Sequence, residues 1–167
     1  MNIDLSDITT QLYELILPMS LKPDIENPWL SAPANNVPAH QRPAMANLLF
    51  DALAFVFSPR TFGTSAPPWR SAAFAKRLLT ASLNWSPALA IRTMDFIGDL
   101  ISKDPKLETL LSTEDRIYDG VYRPEINDPQ LCHPFGTCFW ELHSLQKHWD
   151  ARVRERARKL LQTKHLA

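Results

Sequence analysis

The chain has 167 residues, 45% of them hydrophobic and 22% charged, the proportions of an ordinary globular chain with one core. Four glycines against fourteen prolines exclude the glycine-rich loops that cradle phosphates, and 18 basic against 18 acidic residues exclude coating of nucleic acid by bulk charge. The most apolar run, residues 48–57, is interrupted by Asp51 and is far shorter than the roughly 18 residues of a membrane span, so no membrane partner is expected.

The start, "MNIDLSDITTQ", has neither a basic nor an apolar region, so no secretory signal is expected. Cys132 and Cys138 are the only cysteines, which fits a reducing compartment. Leu5, Ile8, Leu12, Leu15, Ile16 and Met19 recur at three- and four-residue steps and predict a first helix with one apolar face, capped by Asp4. Prolines at 23, 28, 33 and 38 then predict a long loop near residues 22–42, a candidate contact segment. Pro43 opens a second helix, apolar nearly all round and expected to be buried between neighbours.

After "SPRTFGTSAPP" a third helix is predicted from about Trp69 to Leu83, with Ala72, Ala75, Leu78 and Leu79 inward and Arg70, Lys76 and Arg77 outward, where water would satisfy them. Ser86 and Pro87 give a cap and first residue for a fourth, whose face is Ala90, Met94, Ile97 and Ile101. Leu107, Leu110 and Leu111 suggest a short fifth. A second long loop follows near 112–134, residues 117–122 being the nearest approach to a strand. Cys138, Leu142, Leu145 and Trp149, then Val153, Ala157, Leu160 and Leu161, predict two final amphipathic helices joined near Asp150. The expected fold is all-α: one domain over residues 1–167, built of stacked HEAT- or armadillo-like helical repeats as a segment of an α-solenoid. "DARVRERARKLL" resembles the second helix of a HEAT repeat.

The stretch from Cys132 to Lys159 invites three chemical readings. Zinc would take Cys132, His133, Cys138, His143 and His148, but five residues separate the cysteines, where zinc modules place the first ligand pair two to four residues apart. No nucleophile stands with a base and an orienting group, so no catalytic residue is expected, and no metal or cofactor either. Nucleic acid could be gripped through phosphates by Arg152, Arg154, Arg156, Arg158 and Lys159. Residues 147–164 carry seven basic and two acidic side chains, and residues 104–128 three basic and seven acidic, so neutrality arises by cancellation. On a helical wheel the five cations flank the apolar stripe on both sides, as on a solvated face.

"GVYRPEINDPQLCHPFGTCFWELHSLQKHWDARVRERARKLL", with Tyr122, Pro124, Asp128, Pro129, Trp140, Glu141, Leu142, His148 and Val153, resembles the motif series of the CCAAT-binding-factor domain. "NIDLSDITTQLYELILPMSL" and "RSAAFAKRLLTASLNWSPALAIRTMDFI" resemble more particularly the nucleolar complex-associated protein 3 family. Cys132-His133-Pro134 and Trp149-Asp150-Ala151 depart from the family's pattern. The resemblance implies that this chain is the C-terminal portion of a larger solenoid and that its first helix exposes a face for further repeats. It implies that Trp140 anchors packing and that Glu141 satisfies a loop or cap. It also implies a nuclear, nucleolar factor of large ribosomal subunit biogenesis and precursor transport. The partners implied are a nucleolar complex protein 2 type subunit, precursor large-subunit particles with their precursor RNA, and the origin-recognition and minichromosome-maintenance proteins of replication licensing.

Overall fold

The computed structural model describes residues 5–22, 24–27, 43–58, 67–113 and 120–163. Its regular elements are α1 (Leu5–Ser20), α2 (Met45–Val56), α3 (Pro68–Ser82), α4 (Pro87–Lys103), α5 (Trp140–Leu145) and α6 (Ala151–Gln162), with 3-10 turns at Pro105–Leu111 and Pro134–Gly136. The all-helical expectation holds: no strand occurs among the described residues, Gly120 to Tyr122 included. The chain forms two compact units, Met1–Ser20 with Pro67–Ala167, and Leu21–Ala66.

In the larger unit α1 packs on α3, α3 on α4, α4 on α6, and α6 on α5. The core lies between these helices, with Tyr13, Ile16, Phe74, Leu78, Met94, Ile97, Leu142 and Val153 fully buried. Ser86 Oγ accepts the Leu89 N–H at 3.2 Å and Pro87 stands first in α4, the predicted start satisfying a donor that the helix cannot. Ala90, Met94, Ile97 and Ile101 all face inward as expected. The short fifth helix is a 3-10 segment capped by Asp104, and the Phe139 N–H donates to Leu110 O at 2.7 Å, tying it to the approach to α5.

Three helices differ from expectation in their apolar face or their bounds. The inward face of α1 is Thr9, Tyr13, Ile16 and Met19, while Ile8 and Leu15 are exposed; Tyr13, a large ring, turns the helix about its axis to reach Phe74, at 5.2 Å between centroids. The helix α5 is only six residues long and stops before Trp149, which leaves the apolar stripe and stands 78% exposed. The smaller unit contains α2, which starts at Met45, two residues after Pro43. Ala46, Leu49, Phe50, Leu53 and Val56 are buried, whereas Leu48 and Phe55 face solvent. Burial of α2 is thus one-sided where all-round burial was expected, since apolar composition permits burial without supplying a second neighbour. In the same unit the Ile25 carbonyl accepts the Ala46 N–H at 2.8 Å, serving one of the orphan donors at a helix start. Asp4 and the prolines at 23, 28, 33 and 38 lie outside the described residues.

Candidate functional site

The helix α3 is buried at every position from Ser71 to Leu79, and two of those positions are charged. Lys76 and Arg77, expected to face water, are 0% and 1% exposed. A dry cation is tolerated only when acceptors surround it. Lys76 Nζ lies 2.8 Å from Glu141 Oε2 and donates to the Cys138 carbonyl at 2.7 Å. The other carboxylate oxygen of Glu141 accepts from Thr80 Oγ1 at 2.7 Å. Two rings complete the shell, Trp140 at 5.1 Å and Tyr122 at 5.5 Å from the ammonium, both within cation–π range.

One residue on, Arg77 points to the other side of the helix. Its Nη1 donates to Tyr13 O and Asn127 Oδ1, both at 3.1 Å, and its Nη2 donates to Pro124 O at 2.8 Å and Ile126 O at 2.9 Å. The guanidinium lies 3.7 Å from the centre of the Tyr13 ring. A planar fork with several donors is the group that can hold this many carbonyls at once. The Tyr13 hydroxyl donates to Cys132 Sγ at 3.4 Å, and that thiol donates to Pro129 O at 3.4 Å. Burial pushes the Tyr13, Tyr122 and Cys132 groups above their ordinary pKa values, which favours the protonated forms, those of Tyr13 and Cys132 donating in the Tyr13–Cys132–Pro129 chain.

Four of the family-motif residues, Tyr122, Pro124, Trp140 and Glu141, meet at Lys76 and Arg77 of α3. Tyr122 covers Lys76, Pro124 and Pro129 offer carbonyls, and Asp128 Oδ1 accepts the Gln130 N–H at 2.8 Å, setting the turn. Leu142 and Val153 are fully buried. Trp140 is 46% exposed and packs on one side only. Glu141, expected to satisfy a loop or cap, instead neutralises Lys76. Sequence reading missed Lys76 and Arg77 because their three-residue neighbourhoods allow an outward face. On a helical wheel Arg70, Lys76, Arg77 and Thr80 share one arc interrupted only by Ala73, so the sequence carries no signal that this arc is covered.

Around this cluster the backbone is closely fitted. A Cβ on Gly136 would stand 2.6 Å from Gly120 O and 2.8 Å from Tyr122 N, and Gly120 holds φ +80°, which L side chains rarely adopt. His133 also has positive φ, 50°, and lines a half-open cleft of about 210 Å³ with Trp69, Gln130, Pro134 and Phe135. The one titratable side chain lining that cleft is the His133 imidazole. Among the described residues no three His, Cys, Asp or Glu side chains converge on a point where a metal ion would fit.

The five basic residues of α6 are engaged to different degrees. Arg152 forms a two-pronged contact with the Asp150 carboxylate at 3.2 and 2.7 Å. Arg154 Nη1 donates to the carbonyls of His148 and Trp149, 2.8 Å each. Arg156 pairs with Asp95 of α4, and Lys159 Nζ lies 3.5 Å from Glu155. Arg158 is exposed. His148 Nδ1 accepts the Asp150 N–H at 3.0 Å.

The chain matches the CBF/Mak21 family over residues 1–157. It is 29% identical over 175 residues to "Nucleolar complex-associated protein 3" of Schizosaccharomyces pombe, covering 99% of this chain and 23% of that protein. It is 32% identical over 155 residues to the protein of the same name from Saccharomyces cerevisiae, covering 89% of this chain and 23% of that protein. To "Nucleolar complex protein 3 homolog" of Homo sapiens it is 35% identical over 92 residues, 55% of this chain and 11% of the human protein. The chain thus spans about a quarter of the length of the two yeast relatives.

Proposed function

Because the chain belongs to the CBF/Mak21 family and its relatives carry nucleolar complex protein names, we propose that it is a nucleolar, non-catalytic scaffold segment in large ribosomal subunit biogenesis and precursor transport. The observation that supports this reading is where the buried polar groups point. Lys76, Glu141, Thr80 and Arg77 bind one another, the Asn127 side chain or backbone carbonyls of the same chain, which fits a role in rigidity rather than in holding a substrate. The neighbour order of α1, α3, α4 and α6 supports the stacked-repeat architecture that such scaffolds use.

A scaffold of this kind works by presenting surfaces. Its proposed partners are a nucleolar complex protein 2 type subunit and precursor large-subunit particles, with origin-recognition and minichromosome-maintenance proteins as partners of a second role in replication licensing. Grip on nucleic acid by the whole basic arc of α6 is the weaker reading, since four of its five cations are engaged within the chain. The tagged chain, captured from nuclear extract with and without nuclease and analysed by mass spectrometry, tests the proposal. Retention of the nucleolar complex protein 2 type subunit and large-subunit precursor factors after nuclease is expected. Their loss on nuclease treatment overturns the protein-scaffold reading.

A further inference from the structure

Just before α6 the chain displays a tryptophan in water and holds it there. Trp149 is 78% exposed, which forgoes burial of a large apolar side chain. The backbone beneath it is nevertheless fastened on both sides. Arg154 binds the carbonyls of His148 and Trp149, the Asp150 N–H donates to His148 Nδ1, and Asp150 Oδ1 caps α6 by accepting the Arg152 N–H at 2.8 Å. The His148 ring lies beside the indole, centroids 5.3 Å apart and planes tilted by 31°. The backbone that displays the indole is therefore set when the chain folds, and a ligand meeting it has less ordering left to impose.

The surroundings say what kind of ligand fits. Residues 147–163 hold six basic and two acidic side chains. Lys147 and Arg158 are both exposed, and neither pairs with a carboxylate among the described residues. Arg158 stands one turn beyond Arg154 on the same helix face, and Lys147 precedes the indole by two residues. A protein partner would need an apolar core around its anchor, but the chain neighbours of Trp149 are Lys147, His148, Asp150, Ala151 and Arg152, with one methyl group among them. One flat ring, with an unpaired cation two residues before it and another one helical turn beyond Arg154, suits an unpaired base instead: the indole offers a face to stack on, and the cations are available to phosphates.

We propose that this turn is a contact for single-stranded RNA, with one base stacked on Trp149 and its flanking phosphates held by Lys147 and Arg158. The assignment to RNA rather than DNA rests on the nucleolar reading above. Duplexes are disfavoured because their bases are already stacked within the helix.

The test uses the purified full chain and a fluorescently labelled single-stranded RNA of twelve nucleotides, read by anisotropy, beside the same RNA as a duplex and the deoxy strand. Tighter binding of the single-stranded RNA than of either competitor is expected. Trp149→Ala weakens it about tenfold, within the range for loss of one stacked base, while Trp149→Phe retains most of the affinity and both variants keep the parent melting temperature. Lys147→Ala and Arg158→Ala each lower the log–log salt slope by about 0.7. Unchanged affinity in Trp149→Ala, or duplex binding as tight as single-strand binding, overturns the proposal, and equal binding of the deoxy strand overturns its assignment to RNA. Should RNA binding fail while nuclease-resistant capture persists, this contact alone falls; should capture fail while RNA binding holds, the contact stands and the protein-scaffold reading falls.

Discussion

Lys76 and Glu141 exchange hydration for each other, for the Cys138 carbonyl, the Thr80 hydroxyl and two aromatic faces. Such a pair gains little over a well-packed apolar pair, but breaking it leaves a bare charge in a dry site. Lys76→Met is expected to destabilise the chain by about 3–5 kcal/mol, since the Glu141 carboxylate loses its partner in a dry site. The double variant Lys76→Met with Glu141→Leu is expected to recover most of that loss. Urea denaturation of the two singles and the double reads the coupling directly; equal loss in the Lys76 single and the double would show that the pair does not act as a unit. This pairing was not legible, because Lys76 shares a polar arc with Arg70, Arg77 and Thr80 that water could equally have covered, and its partner stands 65 residues away in sequence.

The N-terminus of α6 brings pH into the stability of an element. Asp150 accepts from the Arg152 side chain first and from its backbone N–H second, and these contacts bring the carboxyl from 3.8 down to about 2. A carboxyl depressed on folding adds stability that is complete above its unfolded value and lost as pH falls through its folded one. The contribution therefore declines from near pH 4 toward about pH 2. Asp150→Asn, still a capable cap, is expected to melt below the parent at pH 6 and to draw level as the pH approaches 2; a constant gap across that range would place the effect elsewhere. Caps and periodic faces are local, and so α4 and α6 were legible to within a residue or two. The end of α5 was not, because Trp149 continues the helical spacing while the turn that excludes it is built by Arg154 from the following helix.

At the scale of the whole molecule Arg77 is the joint between distant segments. It holds residues 124–127 and the α1 carbonyl of Tyr13 against α3. Its removal leaves buried acceptors unpaired, at about 1–3 kcal/mol each when they stay dry, so opening of the segment to water is the cheaper response. Arg77→Met is accordingly expected to raise amide hydrogen exchange at Arg123 and Ile126, whose N–H groups bond Cys132 O and Arg123 O, while amides in the middle of α4 keep their protection. Unaltered exchange at those two amides would show that the segment holds without Arg77.

From the sequence alone came the all-α class, the order and approximate bounds of the helices, the Ser86 cap, the inward face of α4 and the family motifs, because caps and spacing are settled within a few residues of backbone. The tertiary structure alone decided that α3 has no wet side, that Glu141 serves Lys76 rather than a loop, that Tyr13 turns α1, and that Trp149 stands in solvent. The first three depend on what a side chain meets from a segment far along the chain, and the last on a turn fastened by the following helix. Periodicity says which residues share a face; only packing says whether water or another segment covers it.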